Sequence, residues 1–121
     1  MADLSPAELS VQCVALSEDI QDKTRIVADY EIAFRAAQTE TKRAVAKFTV
    51  RQKGVATPSV LKIMADSDGA VIEAQDKEQV ALATLTVGKA EIDGITARFQ
   101  ALKKALDLKI EEIKAFRGGS R

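Results

Sequence analysis

The sequence predicts an all-α protein: a long antiparallel helical hairpin with coiled-coil-like packing, a short connecting helix and an oligomeric state. In two segments, residues 5–53 and 68–117, mostly apolar residues recur at heptad spacing, alternately four and three positions apart. This spacing keeps one stripe of each helix against a partner helix. Both prolines lie outside these segments or at their edges. The composition, 46 % hydrophobic, 30 % charged and 4 % aromatic, is typical of long amphipathic helices.

The heptad spacing defines one inward-facing stripe in each segment. In the first segment it consists of Leu9, Cys13, Leu16, Ile20, Lys23, Val27, Tyr30, Phe34, Ala37, Thr41, Ala44 and Phe48. In the second it consists of Val71, Ala74, Glu78, Ala81, Leu85, Gly88, Ile92, Ile95, Phe99, Leu102, Leu106, Ile110 and Ile113. We call these two sets the inward stripes and expect them to form the core.

The first helix is predicted over about residues 6–53. Ser5 is a suitable N-cap, Pro6 suits the first helical position, and Glu8 completes a capping box. The next strong stop signal is Gly54. Ser17 is also a possible cap, so a bend there stays an alternative.

The link, residues 54–68, is predicted to contain a short helix. Thr57 and Pro58 read as a cap and a first helical residue. Asp68 then places negative charge before a final helix over about 69–117, where the helix dipole favours it. Residues 118–121 are predicted to form a flexible tail after Gly118, and the whole chain, residues 1–121, to form one domain.

A second stripe on the final helix predicts self-association. Its members also follow heptad spacing and are mostly small: Val80, Ala83, Val87, Ala90, Gly94, Ala97 and Ala101. We call this set the small-residue face. Glycine inside a helix costs about 1 kcal/mol relative to alanine, so Gly94 and Gly88 favour a packed interface. Alanine is also a good helix former, so a face without a partner is the alternative.

Several classes of function are disfavoured by what the sequence lacks. It has no histidine, one cysteine (Cys13, expected in the core) and only isolated or tail glycines. Acid–base catalysis, a metal site and a phosphate-binding glycine loop therefore lack their usual residues. We expect no catalytic residue, no metal, no cofactor and no enzyme activity. No apolar run approaches the ~20 residues that span a bilayer, so we expect a cytoplasmic protein with no membrane partner.

Charge alternates in blocks along the chain. Residues 1–31 are acidic, with two basic and seven acidic side chains, and residues 35–62 are basic, with seven basic side chains and one acidic. Residues 63–97 are again acidic, with two basic and seven acidic side chains, and residues 98–121 are basic, with seven basic and three acidic. The basic blocks predict a surface for DNA phosphates, without sequence preference. The candidate residues are Arg35, Lys42, Arg43, Lys47, Arg51 and Lys53, with Arg117 in the basic tail. Of the aromatic residues, Phe48 is expected in the core, and Phe116 is the candidate for stacking on bases.

The same blocks have a second interpretation that involves no nucleic acid. In a hairpin that turns near residue 61, residue i faces about residue 122 − i, so each basic block would face an acidic one. Exposed ion pairs contribute only about 0–1 kcal/mol each. On this interpretation the charges align the two helices or two subunits and bind no ligand.

Three segments resemble a known family. They are the basic segment from Ala44 to Gly54, the turn from Ala65 to Asp68, and the end of the last helix from Lys109 to Gly118. Their order is similar to that in small helical phage proteins of the UvsY-type recombination mediator group. The basic motif of that group contains a tyrosine, which residues 48–53 lack. The resemblance implies an oligomer that binds DNA without sequence preference, assists phage replication or recombination, and works with a recombinase or other replication protein. It also implies that the DNA is contacted by Lys42, Arg43, Lys47, Arg51 and Lys53, with Lys114 and Arg117 second.

The sequence therefore predicts a sequence-independent DNA-binding accessory protein, in the host cytoplasm if it is encoded by a phage. The alternative is a coiled-coil interaction module, such as an adaptor, assembly factor or inhibitor, that does not bind nucleic acid.

Overall fold

Three helices make up the computed structural model, which describes residues 4–119. They are α1 (Pro6–Arg51), α2 (Pro58–Ala65) and α3 (Gly69–Gly119), and no strand occurs between residues 4 and 119. The two long helices pack together. The all-α class is thus confirmed. Of the predicted tail, residues 118 and 119 belong to α3, whereas Ser120 and Arg121 lie outside the described residues.

Each helix begins at a side-chain cap that the sequence indicates. At α1, Ser5 Oγ accepts the backbone N–H of Glu8 and Glu8 Oε2 accepts that of Ser5, both at 3.2 Å, which is a capping box. At α2, Thr57 Oγ1 accepts the backbone N–H three residues along, at 3.5 Å. At α3, Asp68 Oδ2 accepts the backbone N–H of Val71 at 3.2 Å.

The first helix is continuous and slightly shorter than predicted. It passes through Ser17 without interruption, so Ser17 does not start a second helix. It ends at Arg51, two residues before the predicted end, and the chain then turns through Gly54, whose φ of 86° lies in the left-handed region that glycine adopts readily.

Contacts along the chain divide it into two compact units. The central unit is Val27–Gly88, and the terminal unit combines Met1–Ile26 with Lys89–Arg121. In the central unit a core cluster forms where α2 joins the long helices: Phe48, Ala65 and Val71 are buried, with Ala44 packed against them. In the terminal unit the buried apolar side chains include Leu9 and Ile95.

The inward stripes form most of the buried surface. All twelve stripe residues of α1 are buried or half-buried, and so are those of α3 from Val71 to Leu106. The prediction is wrong for Ile110 and Ile113, which are exposed. In the terminal unit Gln12 and Leu16 line a recess together with Leu102. α3 continues to Gly119, well beyond Leu102, whereas α1 begins at Pro6, shortly before Gln12.

The pairing of positions also differs from the predicted register. Near the link the difference is small: the predicted register places Arg51 opposite Val71, and Arg51 lies 3.9 Å from Asp68. Farther along, Lys23 Nζ lies 3.3 Å from Glu91 Oε2, whereas the predicted register would place Lys23 opposite Phe99. α1 ends two residues earlier than predicted, which shifts the pairing in this direction but by less than the change from Phe99 to Glu91.

Candidate nucleic-acid interface

The predicted phosphate-binding residues of the central unit are all exposed, and they fall into two groups. The arginines make ion pairs with carboxylates: Arg35 with Glu31 and Arg43 with Glu40, each at 2.9 Å, and Arg51 with Asp68 at 3.9 Å. The lysines Lys42, Lys47 and Lys53 have no ion pair with any residue in the range 4–119. Three of the six candidate cations in the central unit are therefore not neutralised by a neighbour within residues 4–119.

The two secondary candidates lie in the other unit. Lys114 and Arg117 are exposed in the last turns of α3, which belong to the terminal unit. Arg117 already has an interaction within the chain. The central unit therefore contains six of the eight predicted cations.

A groove of about 320 Å³ lies between α1 and α3 in the central unit. Its charged lining residues are Glu40, Arg43, Lys47, Arg51, Glu73 and Lys77, and its other four lining residues are alanines. Three of the predicted cations, Arg43, Lys47 and Arg51, thus line one concave surface. The small alanine side chains leave the space that larger residues would fill.

Lys77 is the lining cation that sequence reasoning missed, because it lies in an acidic block. Its Nζ lies 3.4 Å from Glu73 Oε1, one turn earlier on α3. One feature of the sequence indicates the groove: several inward positions of both helices are alanines, namely Ala37 and Ala44 in α1 and Ala74 in α3. Small residues at inward positions leave a shallow seam, and charged neighbours at its edges then line a groove.

Electrostatically, the groove has four cations against two carboxylates in its lining, so it carries excess positive charge. Two of its ion pairs, Arg43 with Glu40 and Lys77 with Glu73, are exposed and join residues three or four positions apart, while Arg51 pairs at 3.9 Å with Asp68, which lies outside the lining. Such pairs contribute about 0–1 kcal/mol. An anion therefore meets little resistance when it replaces a carboxylate as the partner of these cations.

A second recess, of about 530 Å³, adjoins the groove. It shares Lys47, Arg51 and Ala70 with the groove and adds Ala46 and Val50. Val50 is 73 % exposed although it is apolar. The two aromatic candidates lie elsewhere: Phe48 is only 7 % exposed, and Phe116, 79 % exposed, belongs to the terminal unit.

The small-residue face is exposed along its whole length. A Cβ built on Gly94 meets no atom within 4 Å, so packing within the chain does not require glycine there. Gly88 differs, because a Cβ there would lie 2.8 Å from Val27 Cγ2 and 3.2 Å from Tyr30 Cδ2. Using Gly88 as evidence for a subunit interface was therefore wrong, since close packing against α1 accounts for it.

Comparison with protein-family models, curated proteins and solved structures finds no match to the chain. Within residues 4–119, no cluster of three or more acidic or cysteine side chains has the arrangement of a metal site. Over the same residues, none of the helices has both the length and the apolar character needed to cross a bilayer.

Proposed function

We propose that this chain is a non-enzymatic, sequence-independent DNA-binding accessory protein that contacts phosphates through lysine and arginine side chains on α1. The observation that carries the proposal is the set of exposed lysines that have no carboxylate partner within residues 4–119, Lys42, Lys47 and Lys53, together with a groove of excess positive charge that Lys47 lines. The resemblance to UvsY-type mediators suggests a role in phage replication or recombination, in the host cytoplasm, alongside a recombinase.

The scaffold we propose is an antiparallel hairpin of α1 and α3. Support comes from two points in the central unit: Arg51, at the end of α1, lies near Asp68, at the start of α3, whereas Val27 lies against Gly88. Positions that are earlier in α1 thus meet positions that are later in α3. In this scaffold the unpaired lysines lie close together in sequence, Lys42 and Lys47 near the end of α1 and Lys53 just after it.

The salt dependence of DNA affinity tests the proposal. If three lysines each neutralise one phosphate of a duplex, the logarithm of the association constant falls with the logarithm of salt concentration with a slope of about −2.7. Affinity then weakens about 40-fold between about 50 and 200 mM salt. Fluorescence anisotropy with labelled oligonucleotides of unrelated sequences measures both the slope and the absence of sequence preference.

A charge-reversal variant supplies the control. Arg43→Glu, Lys47→Glu and Arg51→Glu together should abolish binding, because they invert the charge of the groove lining, while helical content by circular dichroism stays unchanged. Because these side chains are exposed, their replacement removes no buried contact. Failure of the parent chain to bind at about 50 mM salt, or undiminished binding by the triple variant, rejects the proposal.

The second candidate function is a protein-interaction module that self-associates through the small-residue face. Gly94 supports it, because this glycine costs about 1 kcal/mol in a helix and no atom of residues 4–119 packs against a Cβ built there.

Enlarging the face distinguishes the two candidates. Ala90→Leu with Gly94→Leu should block close approach and shift the chain toward monomer in sedimentation equilibrium. Val11→Leu is the matched control, because Val11 is an exposed apolar residue of α1 outside the face. A parent chain that is monomeric at all concentrations removes this candidate and leaves the DNA-binding proposal intact.

A further inference from the structure

The recess of the terminal unit has an apolar lining with one charged side chain. Its volume is about 480 Å³, and α1 and α3 both line it. Four of the lining residues are apolar and two are polar: Ala15, Leu16, Ala101 and Leu102, with Gln12 and Arg98. The two leucines are half-buried and the two alanines are exposed, so the small side chains leave space beside the larger ones. Binding pockets for small molecules have this size and this mixture of apolar lining and few polar groups.

Arg98 supplies the charge of the recess. It has no ion pair with any residue in the range 4–119, whereas Arg25, Arg35, Arg43 and Arg51 each pair with a carboxylate. The sequence explains the difference, because the residues three and four positions from Arg98 on α3 are Gly, Ile, Ala and Leu, which offer no carboxylate. Among residues 4–119, none that lines the recess is acidic. The guanidinium is therefore available to an anion from outside the chain.

We propose that this recess binds a free short aliphatic acid. Its carboxylate accepts hydrogen bonds from the guanidinium of Arg98, and its chain packs on Leu16 and Leu102. Guanidinium and carboxylate groups match in geometry, because two parallel N–H donors of arginine meet the two carboxylate oxygens. The site lies in the terminal unit and uses none of the predicted DNA-binding residues, so the proposal goes beyond DNA binding and does not rest on it.

The extent of the recess limits the length of the chain that it accepts. The lining residues cover one turn of each helix, from Gln12 to Leu16 and from Arg98 to Leu102. One turn rises roughly 5.4 Å along the helix axis. An aliphatic group the size of a leucine side chain suits this length. The probe is therefore isocaproate, the acid with the carbon chain of leucine and no amino group.

Three comparison compounds separate the parts of the ligand. Isocaproamide has the same chain without the charge, and acetate has the carboxylate without the chain. N-acetyl-leucine carries the same chain and carboxylate together with a peptide group, as the C-terminal residue of a protein would. Proton–nitrogen correlation spectra of the full chain, recorded at neutral pH across a titration, give both the affinity and the residues whose signals shift.

Isocaproate should bind with a Kd in the millimolar range, as expected of a ligand with few atoms, and should shift the signals of Gln12, Leu16 and Arg98. Isocaproamide should bind about tenfold more weakly, because it lacks the charge-assisted hydrogen bonds. Acetate should also bind about tenfold more weakly, because it lacks the chain that packs on the leucines. N-acetyl-leucine should bind no more tightly than isocaproate.

Two variants, each with a matched control, test the residues. Arg98→Gln should weaken isocaproate binding about tenfold and leave isocaproamide binding unchanged. Its control is Lys104→Gln, which removes one positive charge from an exposed position of α3 outside the recess. Ala15→Leu should fill the recess and weaken binding of both compounds. Its control is Ala28→Leu, at an exposed position of α1 outside the recess.

Both variants change exposed residues outside the small-residue face, so helical content and oligomeric state should match the parent. Isocaproamide that binds as tightly as isocaproate, or parent-like isocaproate affinity in Arg98→Gln or Ala15→Leu, overturns the site. Tighter binding of N-acetyl-leucine overturns the free acid as the ligand and indicates the C-terminus of a protein. Absence of isocaproate binding also overturns the proposal, and each of these results leaves the proposed DNA binding standing.

Discussion

Replacing Gly88 by alanine tests how closely α1 and α3 approach each other in the central unit. The added Cβ would lie 2.8 Å from Val27 Cγ2, closer than two carbon atoms can pack. Val27 is buried and β-branched, so it has little freedom to rotate away. Such overpacking costs about 1–3 kcal/mol, whereas alanine improves helix propensity by about 1 kcal/mol. The net expectation is a loss of about 0–2 kcal/mol.

Gly94→Ala is the matched control, because the same substitution on the same helix meets no atom within 4 Å. It should stabilise the protomer by about 1 kcal/mol. The propensity gain cancels between the two variants, so their difference, about 1–3 kcal/mol, isolates the overpacking. For a chain of 121 residues this corresponds to a gap of roughly 4–12 °C in Tm.

Thermal and urea unfolding, followed by circular dichroism at low protein concentration, measure this gap. A double-mutant cycle with Val27→Ala adds a second readout, because removing Cγ2 should relieve the clash and give a favourable coupling of about 1 kcal/mol. Equal stabilisation by Gly88→Ala and Gly94→Ala, or no coupling in the cycle, would refute the packing of Gly88 against Val27.

Three further predictions concern the core, the caps and an ion pair between helices. Phe48→Ala should cost about 3–5 kcal/mol in urea unfolding, because this ring lies in the central core cluster, whereas Phe116→Ala at an exposed ring should change the free energy of unfolding by less than about 0.5 kcal/mol. Asp68→Ala should lower the free energy of unfolding by about 0.5–2 kcal/mol, because it removes the α3 cap. Asp68→Asn should lose much less, because asparagine can also cap a helix; if the charge of Asp68 were what mattered, the two variants would lose the same amount. Reversing the partly exposed pair Lys23 and Glu91 one residue at a time should cost at most about 1 kcal/mol each, with recovery in the double reversal, as measured by Tm.

Heptad spacing and cap chemistry predicted much of the fold. Ser5, Thr57 and Asp68 act as caps because a side-chain oxygen there meets a free backbone N–H, and that rule is local. The inward stripes were predictable for the same reason, since spacing along one helix decides which side chains share a face. Ile110 and Ile113 were not, because their burial depends on how far the partner helix extends.

The candidate site was only partly predictable. Arg43, Lys47 and Arg51 were found because they cluster in one basic block. Lys77 was not, since its contribution depends on the pairing of α3 with α1, and a block count assigns it to an acidic region. The prediction for Gly88 was wrong for a related reason. A glycine inside a helix indicates that another element packs closely there, but the sequence does not show whether that element is α1 or a second subunit.

The exposed last turns of α3 make hydrogen exchange at this end of the helix sensitive to assembly. Ile110, Ile113 and Phe116 are exposed there, and helical turns without tertiary packing are marginal in water. In an isolated protomer the amide protons of residues 110–117 should therefore exchange with solvent within seconds, while those near Phe48 persist. Slow exchange at this end would mean that another chain covers it, so deuterium uptake at one helix terminus reports assembly without any label or substitution.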